Sequence, residues 1–99
     1  MPTLVFAKFT INDHIGYSRY VELATHIFIR EKVIIHASDE EPQALSPDMQ
    51  ADKVVLLEFR DQSHFKHFFS QIDYIEAAKI RDAASTISAT VFERFEMPK

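Results

Sequence analysis

Arg81 sits in the stretch DYIEAAKIRDAAS, residues 73–85. At about 100° per residue, Tyr74, Ala77, Ala78, Ile80 and Ala84 share one arc of a helix, and Arg81 falls near its centre. Glu76, Lys79 and Asp82 fall outside the arc, as solvated charges should. The small alanines let such a helix approach a neighbouring layer closely, which carries the guanidinium inward. A charge held there needs a partner, because an unpaired buried charge is very costly. Two readings follow. In one, Arg81 makes a structural ion pair with Glu58, near the end of a strand, helped by its own place near a helix C-terminus. In the other, the guanidinium holds a carboxylate or other anion in a cavity between helix and sheet.

Other side chains could join that cavity. His36 lies among aliphatic strand residues and is expected to share a face with Ile34 and Ser38. Facing the cavity, it could act as a general base near neutral pH, and Glu58 could take that role instead. The Tyr17 hydroxyl could reach the same space, and Tyr74 shares the arc of Arg81. The candidate pocket is therefore Tyr17, His36, Glu58, Tyr74 and Arg81. His64 and His67 are three apart on a short helix. A zinc site needs three or four protein ligands and no third partner is evident, so no metal is expected and the pair reads as surface histidines.

Composition removes several classes of chemistry. The chain has 99 residues, no cysteine and one glycine. Thiolate zinc sites, disulfides and cysteine nucleophiles are excluded. Glycine-rich phosphate loops are excluded too, and a serine nucleophile elbow needs glycines that are missing. A net charge of -4 argues against nucleic acid and against an anionic membrane as partners. No signal peptide and no membrane span is apparent, so a cytoplasmic location is the expectation. No cofactor is expected.

The elements that must position these residues are legible from periodicity. TLVFAKFTI (3–11), KVIIHAS (32–38), KVVLLEFR (53–60) and TISATVFERF (86–95) read as strands. Between them, Tyr17, Tyr20, Val21, Ala24, Ile27 and Phe28 mark an amphipathic helix over 14–30, with Asn12 or Asp13 as its cap. Asp61 caps a short helix carrying Phe65, Phe68 and Phe69, and a break near 70–72 precedes the Arg81 helix. SDEEPQALSPDMQAD (38–52) carries five acids and two prolines, and reads as a flexible acidic connection rather than a calcium loop. The order β-α-β-β-α-β in a single domain, 1–99, predicts an α+β, ferredoxin-like antiparallel sheet with its helices on one face. Both faces of the first and third strands are apolar, although a half-solvated sheet should alternate. The open face is thus expected to pack on a second copy of the chain, the two sheets making a dimeric α+β barrel.

VFAKFTIND with Tyr17, KVVLLEF and DYIEAAKIRDAAS together resemble domain-of-unknown-function family 1330. The matching residues are Asp13 and Tyr17 after the first strand, Leu56, Leu57, Glu58 and Phe59 in the third, and Tyr74, Ala77, Arg81, Ala83 and Ala84 in the last helix. His36, Ala37 and Ser38 depart from it where the family usually has Arg-Gly-Gly, as do Lys8 and Thr10 where it has glutamates. The resemblance implies the dimeric α+β barrel group and a homodimer, and it implies no reaction. Three functions follow: a dimer binding a small apolar or anionic molecule between sheet and helices; a cofactor-independent enzyme like the monooxygenases and isomerases of that group, with His36 or Glu58 as proton acceptor and Arg81 as anion stabiliser; or a ligand-sensing regulatory subunit.

Overall fold

The computed structural model describes residues 1–98. Strand β1 (Thr3–Ile11) runs into helix α1 (His14–Arg30), strand β2 (Ile34–Asp39), strand β3 (Lys53–Phe59), helices α2 (Gln62–Phe69) and α3 (Ile72–Ala84), and strand β4 (Ser85–Glu93). The sheet order is β2-β3-β1-β4, and all three pairings are antiparallel. This is the ferredoxin-like arrangement, with the helices packed on one face.

The sheet is open, and this corrects the barrel expected from the sequence. Its edges, β2 and β4, do not pair with each other. Four strands are about half the roughly eight needed to surround a side-chain-filled barrel interior. The correction covers the fold class and the superfamily attached to the resemblance alike: the ferredoxin-like part stands and the barrel does not. Among the described residues no helix is long and apolar enough to cross a membrane.

Local signals explain each element. The Asp13 carboxylate caps α1 by accepting from the Gly16 N–H at 3.1 Å, and Asp61 caps α2 by accepting from the His64 N–H at 2.8 Å. Side chains alternate along the strands, so Val5, Ala7 and Phe9 of β1 and Leu57 and Phe59 of β3 are buried beneath the helices. Phe59 and Phe68 are fully buried, and their rings lie 5.4 Å apart in a cluster with Phe28, Phe69 and Tyr74. Burying each such ring contributes about 2–3 kcal/mol.

Two expectations change here. The acidic connection is tied down rather than free: Asp52 donates its N–H to the Phe9 carbonyl and accepts from the Ile11 N–H, both at 2.8 Å, and the Lys8 ammonium donates to the Asp48 carbonyl. His64 is not a surface residue. It is buried, its Nδ1 accepts from the Arg60 N–H at 2.9 Å, and its Nε2 donates to the Glu31 carbonyl at 2.6 Å. The two bonds fix the neutral Nε2–H tautomer and rivet the start of α2 to the end of α1. His67 remains exposed, 3.4 Å from the Glu31 carboxylate.

Candidate functional site

A cavity of about 100 Å³ lies between the helical layer and the sheet. Val5 and Phe9 of β1, Val55 and Leu57 of β3 and Ile87 of β4 form its floor; Tyr17, Tyr20 and Ala24 of α1 and Tyr74 and Arg81 of α3 form its roof. Tyr17 also borders an outer recess of about 410 Å³ walled by Glu40, Glu41 and Asp52. The inner space is apolar apart from the tyrosine hydroxyls, Ser38, Thr25 and two cations.

Arg81 is one cation. Its Nε donates to Asp82 at 3.0 Å and its Nη1 to the Tyr74 hydroxyl at 3.1 Å, which is 2.8 Å from the Tyr20 hydroxyl. Its Cζ lies 5.8 Å from the centre of the Tyr20 ring. Burial pulls the guanidinium pKa down, but Tyr74, Asp82 and Tyr20 outweigh it, and the net direction is up. Burial, with Tyr74 adding to it, pushes the Tyr17 hydroxyl up to about 12 and the Tyr20 hydroxyl up as well. All three groups keep their ordinary protonation at neutral pH: two neutral phenols and a guanidinium.

The second cation is Lys53, which the sequence analysis does not single out. As the first residue of β3 it pairs with Phe9, on the helix-facing side. The residue is only 5% exposed. Among the described residues its ammonium has no hydrogen bond and no ion pair; it lies 4.9 Å from the centre of the Tyr17 ring. Burial lowers its pKa, against a smaller opposing pull from Glu40. A signal for it exists in the sequence, because Lys53 alternates with Val55, Leu57 and Phe59, all read as one face.

His36 and Glu58 do not line this cavity. Glu58 pairs with Leu4 on the opposite face of the sheet, so Arg81 and Glu58 never meet. Glu58 accepts instead from Arg94 at 3.0 Å and contacts His36 Nε2 at 3.2 Å. Burial pulls the Glu58 carboxyl up, but the hydrogen bonds from His36 and Arg94 outweigh it and hold it below the ordinary value. A β-bulge between Ile35 and Ala37 leaves His36 beside Glu58 and inverts the alternation beyond it. Ser38 therefore reaches the cavity, and His36 and Ser38 do not share a face as expected. The structure thus brings Tyr17, Tyr74 and Arg81 together and sets His36 and Glu58 apart in a second cluster. Among the described residues no three acidic or histidine side chains converge as metal ligands would.

The profile of the domain of unknown function DUF1330 matches residues 2–95. The chain belongs to the DUF1330 family. No curated protein matches it. Among solved structures, a protein of unknown function from Rhodopseudomonas palustris is similar with a TM-score of 0.82 at 17% identity, over 97% of this chain and 84% of that one. SnoaB, a cofactor-independent oxygenase from Streptomyces nogalater, gives 0.69 at 14% identity, over 97% and 95%. A dimeric ferredoxin-like protein of unknown function from Jannaschia sp. CCS1 gives 0.74 at 10% identity, over 95% and 100%. At these identities the likeness shows the fold alone. Within the DUF1330 chain, the cavity lined by two cations and three phenols is the candidate site.

Proposed function

We propose that this DUF1330 protein binds a small, mostly apolar molecule with an oxygen-bearing end in the helix–sheet cavity. One observation carries this reading: the ammonium of the buried residue Lys53 and the Arg81 guanidinium face an apolar space, and the ammonium has no protein acceptor among the described residues. A carbonyl, carboxylate or phenolic oxygen would supply that acceptor, with the aliphatic floor seating the rest of the molecule. The cavity is smaller than the ~150 Å³ that accommodates benzene, so the ligand is of that size or below unless the helices part. The lack of cysteine fits a reducing cytoplasm, which this reading takes as the site of action.

The open sheet face belongs to the same reading as a homodimer contact. Leu4 and Phe6 of β1, Val54 and Leu56 of β3, and Phe92 of β4 present apolar side chains there, and Ile34 on the edge strand is half exposed. The dimeric Jannaschia relative supports self-association. A cofactor-independent oxygenase is the second reading, favoured by the fold shared with SnoaB. It would need a base other than His36 or Glu58, and Lys53 is the group so placed.

A thermal-shift screen of short ketones, organic acids and phenols tests the binding reading, run on wild type, Lys53→Met and Arg81→Ala. A ligand at about 100 times its Kd adds roughly 2.7 kcal/mol. Stabilisation of wild type that is lost in both variants is expected. Equal stabilisation of folded variants would place the ligand elsewhere.

A further inference from the structure

The geometry points to Lys53 as a nucleophile that captures small neutral aldehydes and ketones as imines within the helix–sheet cavity. This deepens the binding reading of the same cavity and rests on it.

Three features carry the inference. First, Lys53 is placed by a strand and not by a loop. Its backbone is fixed opposite Phe9 in the sheet, and the residue is buried beneath α1. The strand fixes where the side chain starts, and the ammonium lies 4.9 Å from the centre of the Tyr17 ring that lines the same cavity. Second, no carboxylate neutralises it, and among the described residues nothing accepts a hydrogen bond from it. The acid that acts on it is Glu40, from the acidic connection; Arg81 and the phenols of Tyr17, Tyr20 and Tyr74 line the same cavity. Desolvation lowers its proton affinity, so more free amine is present near neutrality than in an ordinary lysine. Third, the surroundings select the electrophile. The recess beside Tyr17 carries Glu40, Glu41 and Asp52, whose negative charge beside the cavity disfavours an anion there. The floor of Val5, Val55, Leu57 and Ile87 suits an alkyl chain. A neutral carbonyl compound of about four or five heavy atoms satisfies both, since the cavity of about 100 Å³ is smaller than the ~150 Å³ that holds benzene.

The step balances without a further reagent. The Nζ lone pair forms a bond to the carbonyl carbon, and the carbonyl π pair moves to oxygen. Proton transfer from nitrogen to oxygen gives a carbinolamine. A second transfer expels water and leaves a carbon–nitrogen double bond. Hydrolysis returns the amine and the carbonyl compound, so capture is reversible.

The test is borohydride trapping with butanone and butanal on wild type, Lys53→Arg and Lys53→Met, read by intact mass and peptide mapping, with melting temperatures measured in parallel using the same compounds and no borohydride. Expected is one reductive adduct per chain, on Lys53, with labelling at least tenfold lower in Lys53→Arg, which keeps a charge but forms no imine. Adducts spread evenly over the other lysines, or undiminished in Lys53→Arg, overturn the proposal. Stabilisation by butanone without any adduct at Lys53 overturns imine capture and leaves the binding reading standing. Neither stabilisation nor adduct overturns imine capture, and a null result across the ketones, acids and phenols of the wider screen overturns the binding reading as well.

Discussion

Replacing Lys53 with methionine should stabilise this protein. Methionine has nearly the reach of the lysine stem and no charge. It leaves the contacts of the stem with the cavity wall and removes an ammonium that folding partly desolvates. In wild type the opposing gain is a single cation–π contact, 4.9 Å from the Tyr17 ring centre, worth about 0.5–2 kcal/mol. The effective penalty for a fully buried unpaired ion is several kcal/mol and this ammonium is only partly desolvated, so the balance favours methionine by about 1 kcal/mol. Desolvation heads the causes that lower the Lys53 pKa, which fixes the same sign.

For a domain of this size that is a rise in Tm of roughly 4–8 °C, at about 4–8 °C per kcal/mol. Scanning calorimetry at matched protein concentration reads it, since self-association would otherwise move Tm. The pH dependence is a second, independent check. The folded-state pKa of Lys53 lies below its unfolded value, so its destabilising effect is complete below the folded pKa. It fades as pH rises through that value toward the unfolded one near ~10.4. The advantage of Lys53→Met should narrow over that range. A variant less stable than wild type at neutral pH, or an advantage that does not change with pH, would refute the claim that the amine is unpaired and desolvated.

Three further outcomes follow. Phe68→Ala empties the centre of the aromatic cluster and should cost about 3–5 kcal/mol in urea unfolding, with little loss if the helices collapse into the space. Glu58 has a depressed folded pKa, so its contribution is present above the unfolded value near ~4.3 and is lost as pH falls through the folded one. Glu58→Gln should therefore be less stable than wild type at neutral pH and lose less stability between neutral pH and about pH 3, as urea melts at each pH would show. Gly16→Ala should destabilise by about 1 kcal/mol in spite of better helix propensity: its Cβ would lie 2.7 Å from the capping Asp13 Oδ2 and 3.2 Å from the Ala84 Cβ, so either the cap or the α1–α3 approach must give. An increase in Tm would show that the cap moves at no cost.

The elements are legible because each carries its own period and cap. Asp13, Asp61 and the Phe9 and Phe59 faces behave as their spacing says. The candidate site is only partly legible, for reasons of parity. Alternation along β3 turns Glu58 away from the face of Leu57, and so away from the helices; the pleat by itself separates Glu58 from Arg81. His36 cannot be placed the same way. Its bulge is one extra residue in β2, with no glycine to mark it, and it moves Ser38 into the cavity instead. The barrel was an inference from apolar residues on both sheet faces. Such residues call for a covering surface and say nothing about whether strand edges meet.

Parity also singles out Lys53. It is the single charge on a strand face otherwise made of Val55, Leu57 and Phe59, and a local rule broken without compensation is expected where function sets the residue. Arg81 stands out in the sequence, yet Asp82, Tyr74 and Tyr20 satisfy most of what its burial requires. Among the described residues Lys53 has only the face of an aromatic ring. Of the two cations in the cavity, one is anchored by the fold and the other has no protein acceptor among the described residues. The position where methionine would make the more stable protein is therefore the one where an exchange of stability for chemistry should be sought first.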